Sequence, residues 1–133
     1  MIFKEFPATL ESFPEAQSFL EEEMEKAEVP AKVSIQMSIS FEEVFVNVAH
    51  YAYPEEEGKA VLGLEFESGK MTMVLKDFGV PFDPLAKPDP DITLSADDRQ
   101  IGGLGILMTK KYMNDISYEY KDSMNILTMI KKY

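Results

Sequence analysis

Apolar residues near the start of the chain recur at helical spacing. They are Ala16, Leu20, Met24 and Ala27. This period predicts an amphipathic helix with one buried stripe. Ser12 and Glu15 have the spacing of a capping box, and Pro14 suits a first helical turn, so we expect the helix to begin there. The glutamates of this segment lie off the apolar stripe and are interpreted as the solvated face of the helix.

A second helix is predicted from about Lys32 to Tyr51, because Pro30 interrupts the first. Its stretch from Phe41 to Tyr53 is apolar nearly all round. A helix of that kind is buried on most of its sides.

Four further segments alternate between apolar and polar residues, which is the pattern of strands. The first pair has Leu62, Leu64 and Phe66 on one face, and then Met71, Met73 and Leu75. Ser68-Gly69 between them predicts a hairpin with a two-residue turn. A second hairpin is predicted from 116–121 and 124–130, and residues 2–8 have the mixed character of an edge strand.

The order of these elements predicts the fold class. A strand, two helices and a hairpin are followed by a long proline-containing loop over 78–101, a short helix opened by Gly102–Gly105, and a last hairpin. A loop of that length inside a small domain is often a functional lid. We therefore expect one domain over 1–133, an α+β two-layer sandwich with helices on one face of a mixed, largely antiparallel sheet.

Composition excludes several classes of function. The chain has no cysteine and one histidine, which excludes disulfide scaffolds, thiolate metal sites and most zinc arrangements. A formal net charge of −11 argues against nucleic-acid binding, since such a surface repels phosphates. The N-terminal residues resemble neither a signal peptide nor a membrane span, so a cytoplasmic location without membrane association is expected.

Glu43 and Asn47 are polar residues within the most apolar stretch of the chain. Four positions apart, they project from the same helix face, where a carboxylate and an amide are costly unless paired. Asn47 could offer an oxygen to Mg²⁺, and Glu43 could act as a base. The alternative is a polar pair that only meets a loop or solvent.

Two glycine-containing segments could bind a nucleotide. Asp77 ends a strand and could accept a hydrogen bond from an adenine amino group, with Gly79 allowing the chain to turn closely beneath the base. Gly102-Gly103-Leu104-Gly105 precedes a helix whose free N–H groups could hold phosphates. Arg99, the one arginine of the chain, could grip a phosphate. The alternatives are an ordinary turn after Asp77, a glycine hinge at Gly102–Gly105, and a solvated arginine at Arg99.

The order and spacing of these segments resemble the N, G1 and G2 boxes of the GHKL ATPase superfamily, and most closely the bacterial anti-sigma-factor serine kinases. The matching stretches are Glu43–Asn47, Asp77–Phe82 and Gly102–Ile106. Pro81 departs from histidine kinases, which have a second glycine there.

The resemblance implies roles for these residues. Asn47 would bind Mg²⁺, and Glu43 would be the general base toward a substrate hydroxyl. Adenine would be recognised by Asp77, above Gly79, with Phe82 in the same box. Gly102, Gly103, Leu104 and Gly105 would surround the phosphates, and Thr128 would support Asp77.

The resemblance also implies partners. Kinases of this type transfer the ATP γ-phosphate to a serine of a STAS-type antagonist, bind a sigma factor in the alternate state, and often form dimers. A nucleotide-gated binding module without phosphotransfer is a second hypothesis, and a stand-alone ATPase is a third. A retained Glu43 favours the kinase, because a pure binder has no need of a base there.

Overall fold

The computed structural model describes residues 1–54, 57–86 and 103–133. The strands are β1 (Ile2–Pro7), β2 (Lys59–Glu67), β3 (Lys70–Asp77), β4 (Asp115–Lys121) and β5 (Met124–Lys132). The helices are α1 (Phe13–Lys26), α2 (Ala31–Tyr51) and α3 (Gly103–Tyr112), and a short 3₁₀ helix, Leu10–Ser12, precedes α1.

The strands form one sheet in the order β1-β2-β3-β5-β4, and every pairing among them is antiparallel. The predicted two-layer fold is therefore confirmed, while the predicted mixture of strand directions is absent from the described strands. Both predicted hairpins are present. Asp122 and Ser123 between β4 and β5 have positive φ, which matches the twist of a two-residue turn.

The hydrophobic core lies between the helices and one face of the sheet. Its fully buried side chains include Leu20 and Met24 of α1, Met37, Phe41 and Phe45 of α2, and Leu62, Leu64, Met71, Met73 and Met129 of the sheet. Burial alternates along β5, as expected of a strand with only one face against helices. This packing fixes how the end of α2 sits above the ends of β3 and β5.

The predicted capping box of α1 is wrong. Ser12 makes no side-chain capping bond; its hydroxyl donates to the carbonyl oxygens of Pro7 and Thr9 instead. Thr9 accepts from the Ser12 N–H and caps the 3₁₀ helix. The Ser12 hydroxyl therefore stabilises the tight connection between β1 and α1, and it does not cap α1 as predicted.

No helix among the described residues has the length and apolar character needed to cross a membrane.

Candidate nucleotide site

A cleft opens where α2 ends above β3 and β5. It contains about 420 Å³ of empty space, a figure that includes the solvent at its mouth. Its walls are mostly apolar with a few polar groups: Val44, Asn47, Val48, Ala52, Leu75, Asp77, Phe82, Pro84, Tyr118, Asn125 and Leu127. Apolar walls with few converging polar groups suit a flat heterocycle that needs one or two directional contacts.

Asp77 is the carboxylate of this cleft and is only 4% exposed. It is the last residue of β3, placed between Ala60 of β2 and Asn125 of β5. Its Oδ1 accepts hydrogen bonds from the Gly79 N–H and from Asn125 Nδ2, both at 2.9 Å. Burial raises the pKa of Asp77, and the bonds from Asn125 and Gly79 partly oppose that rise.

Both of these hydrogen bonds end on the same oxygen. Among the described residues, Oδ2 of Asp77 therefore remains as an acceptor for a ligand. A carboxylate oxygen in an apolar cleft suits an amino group, because an ionised carboxylate only accepts hydrogen bonds. The geometry fits the predicted recognition of adenine.

Asn125 is a site residue that the sequence reasoning missed. Its side chain contacts Asp77, the Val80 carbonyl, the Phe82 N–H and the Tyr118 hydroxyl. One asparagine in an apolar strand is a weak signal by itself. Only the register of β5 against β3 reveals that it faces Asp77.

Thr128 does not occupy the position that the resemblance gave it. It pairs with Val74, three residues before Asp77, and the alternation of β5 turns it to the sheet face opposite Asn125, Leu127 and Met129. Asn125 takes the place beside Asp77 that was expected for Thr128.

Gly79 is pressed against the end of α2. A Cβ built on it would lie 2.1 Å from the Ala52 carbonyl oxygen, so no larger residue fits without movement of the main chain. The Val80 N–H donates to the same oxygen at 2.9 Å. Phe82, further along this loop, lines the cleft and stacks on Tyr51 with ring centroids 5.7 Å apart.

Glu43 and Asn47 lie on the side of α2 that faces the cleft and α3. Asn47 lines the cleft and hydrogen-bonds to Glu43. Because an ionised carboxylate can only accept, the Asn47 amide nitrogen is the donor, and its oxygen takes no part in this bond. Burial raises the pKa of Glu43, the bond from Asn47 opposes that rise, and the nearby charge of Glu42 adds to it.

The glycine-rich segment is described only in part. Gly103 and Leu104 are the first two residues of α3, whereas Gly102 and Arg99 lie outside the described residues, as does most of the predicted lid. A Cβ at Gly105 would lie 2.1 Å from Cδ and Oε2 of Glu43. The absence of a side chain at Gly105 thus makes room for the Glu43 carboxylate beside the first turn of α3.

The family is shown by sequence comparison. The model of the histidine kinase-like ATPase domain matches residues 6–131, nearly the whole chain. The chain belongs to this family. It is also 26% identical over 100 residues to the serine/threonine-protein kinase BtrW of Bordetella bronchiseptica, a match that covers 74% of this chain and 70% of that protein.

Membership in the histidine kinase-like ATPase family makes this chain a kinase-like ATP-binding domain. Two of the residues that carried the resemblance, Asp77 and Asn47, line the cleft, and Gly79 donates its N–H to Asp77. Among the described residues no group of three or more histidine, aspartate or glutamate side chains could hold a metal ion. Mg²⁺ commonly takes only one or two protein oxygens beside substrate phosphates, so the Asn47 oxygen fits that role without such a group.

Proposed function

We propose that this protein is a regulatory serine-protein kinase that uses ATP with Mg²⁺ to phosphorylate a serine of a STAS-type antagonist. Binding of a sigma factor in the alternate state, a homodimeric assembly and a cytoplasmic location belong to the same proposal. The similarity to a protein named as a serine/threonine-protein kinase supports the choice of reaction.

The observation that carries the proposal is the pairing of Glu43 with Asn47. A carboxylate whose pKa is raised by burial is a better proton acceptor than an ordinary glutamate. Asn47 connects this base to the cleft that contains Asp77. A protein that only bound ATP would not need a base at this position.

Each residue of the cleft has a role in this proposal. Asp77 would accept a hydrogen bond from the adenine amino group, and Asn47 would contribute an oxygen to Mg²⁺. The ion would neutralise phosphate charge, which is a large part of catalysis in phosphoryl transfer. Glu43 would accept the proton of the substrate serine hydroxyl.

One observation favours the alternative of a nucleotide-gated binding module. Glu43 does not line the cleft; its carboxylate lies against Gly105 of α3. If the carboxylate stays there in the complex, ATP binding would position α3 for a partner without phosphotransfer.

Glu43→Gln distinguishes the two functions, because it keeps size and hydrogen bonding but removes the base. The assay follows label from γ-³²P-ATP to STAS-domain proteins of the source organism, with ATP affinity measured by calorimetry. The kinase proposal expects unchanged ATP affinity and a fall in transfer of roughly 10²-fold or more.

Glu22→Gln is the matched control, since it makes the same chemical change at an exposed position of α1 whose charge is not among the causes of the raised pKa of Glu43. It should transfer phosphate at nearly the wild-type rate. Wild-type transfer by Glu43→Gln would remove the base assignment. ATP binding without transfer by the wild type to any STAS protein would favour the gated binder.

A further inference from the structure

Ile35 and Ile39 are exposed apolar residues on one side of α2. They are 61% and 40% exposed, and the next residue on the same side is Glu43, the proposed base. Residues four positions apart lie one above the other on a helix, so the two isoleucines form a row that leads to the carboxylate. Exposed apolar side chains that are scattered singly are normal, whereas adjacent ones indicate a binding surface.

α3 borders the same row. Gly105 lies against the Glu43 side chain, and α3 then runs away from the cleft, because the Asn114 N–H just after it donates to the Ile130 carbonyl near the far end of β5. α2 runs the opposite way and packs along α3, with its C-terminal half at the cleft. Met108 is 40% exposed and shares a helix face with Gly105, three residues before it, so it lies beside the row.

These three exposed side chains, Ile35, Ile39 and Met108, form the α2–α3 patch. Charged residues mark its two ends. The carboxylates of Glu42 and Glu43 lie at the end next to the cleft, and the exposed Lys32 lies one turn beyond the other end, three residues before Ile35. A partner that fits the patch therefore has apolar side chains in the middle and an acidic group at the end away from the cleft.

We propose that the α2–α3 patch is the docking surface for the protein substrate and holds its serine-bearing segment with the serine at Glu43. The inference rests on the proposed kinase function and adds the surface that receives the substrate. The continuity of the patch with the base decides the occupant, since any other partner seated there would cover the approach of a serine to Glu43.

The patch also defines the chemistry of the docked segment. At the rise of a helix, Ile39 and Ile35 lie roughly 6 and 12 Å along α2 from Glu43. The substrate should carry apolar side chains at similar distances from its serine, followed by an acidic residue toward Lys32.

Docking away from the phosphates predicts a particular kinetic effect. Removal of a contact that is equally strong in the ground state and in the transition state raises KM and leaves kcat unchanged. Residues of the patch should therefore affect the binding of the protein substrate, and affect neither the transfer step nor the binding of ATP.

The test measures kcat and KM for transfer of label from γ-³²P-ATP to the STAS-domain protein of the source organism that the wild type labels best. The variants are Ile35→Gln, Ile39→Gln and the two combined. Glutamine is a good helix former and suits exposed positions, so circular dichroism should show an unchanged fold. We expect KM of the double variant to rise by at least about 10-fold, with kcat changed by less than about 3-fold and ATP affinity in calorimetry unchanged.

Ile2→Gln is the matched control. Ile2 is 46% exposed, similar to Ile39, but it lies on β1 at an edge of the sheet and belongs to neither α2 nor α3. This variant should keep the wild-type kcat and KM.

Lys32→Glu tests the charged end of the patch. It should raise KM at low salt, and the difference from wild type should shrink as the salt concentration rises. An unchanged KM at low salt would remove the acidic residue from the proposed segment.

The outcomes are distinguishable. An unchanged KM in the double variant, with transfer intact, would overturn the docking surface and leave the proposed function standing. Loss of ATP affinity or of kcat would assign the isoleucines to the cleft or the fold and would also overturn it. A change in the sedimentation of the kinase alone would show that the patch joins two copies of the chain. No transfer by the wild type to any STAS protein would overturn the proposed function and this inference with it.

Discussion

Alanine at position 79 would test how closely the loop after β3 must approach the end of α2. The new Cβ would lie 2.1 Å from the Ala52 carbonyl oxygen and 2.6 Å from its carbon, whereas ordinary contacts begin at 3.4 Å. The φ of Gly79 is outside the left-handed region, so the requirement is for space alone. Main-chain atoms, unlike the end of a flexible side chain, have no alternative rotamer to adopt.

The expected cost follows from two contacts. Overpacking of this kind costs about 1–3 kcal/mol, and a weakened Val80–Ala52 hydrogen bond adds about 0.5–1.5 kcal/mol. Gly79→Ala should therefore lower the free energy of unfolding by roughly 2–4 kcal/mol, measured by urea denaturation. Because the loop would move by about 1 Å, ATP affinity in calorimetry should fall by at least about 10-fold.

Gly63→Ala is the matched control for that substitution. Its Cβ would meet the Phe3 ring at 2.7 Å and the Met1 sulfur at 3.0 Å, and both of those side chains are about half exposed and can move aside. We expect a change in unfolding free energy below about 1 kcal/mol and unchanged ATP affinity. Wild-type stability and affinity in Gly79→Ala would show that the loop and α2 are not tightly packed.

Two further predictions concern the carboxylates of the site. Asp77→Asn should weaken ATP binding at neutral pH by at least about 10-fold, measured by calorimetry. Because burial raises the pKa of Asp77 above its ordinary value of 3.8, the ATP affinity of the wild type should also fall in mildly acidic buffer. The ATP affinity of the Asn variant should not change over the same pH range. Equal affinity of the two proteins would exclude Asp77 from base recognition. A folded-state pKa above the unfolded one favours the protonated folded protein, so Glu43 reduces stability as pH rises through its raised pKa. Glu43→Gln should thus have a higher Tm than wild type at pH 7.5, and this difference in Tm should shrink near pH 5. A Tm difference that does not depend on pH would contradict the raised pKa of Glu43.

The elements that could be predicted from sequence are those with a local cause. The helical period of α1, the apolar surface of α2 and the turn residues of both hairpins act over a few neighbouring positions. Ser12 fails as a capping residue because Pro7, in the preceding strand, offers its hydroxyl a competing acceptor. Such a contact depends on the path of the chain from β1 into α1, and the spacing of Ser12 and Glu15 carries no information about that path.

The candidate site was predicted in its motifs but not in its tertiary contacts. Asp77, Asn47 and Phe82 line the cleft, and Gly79 donates its N–H to Asp77. Asn125 was missed because its position depends on the register between β3 and β5, two strands that 46 residues separate in the chain. Resemblance alone placed the support of Asp77 at Thr128, on the wrong face of the same strand.

Buried Asp77 and partly buried Glu43 differ in the hydrogen bonds that oppose their desolvation. Asp77 receives two hydrogen bonds from the chain, whereas Asn47 is the side chain that opposes the raised pKa of Glu43. The two bonds to Asp77 suit its proposed role, because an ionised carboxylate is the stronger acceptor for an amino group, while a base gains from a raised pKa. At both carboxylates desolvation is the largest influence and raises the pKa, and the hydrogen bonds oppose that rise only in part.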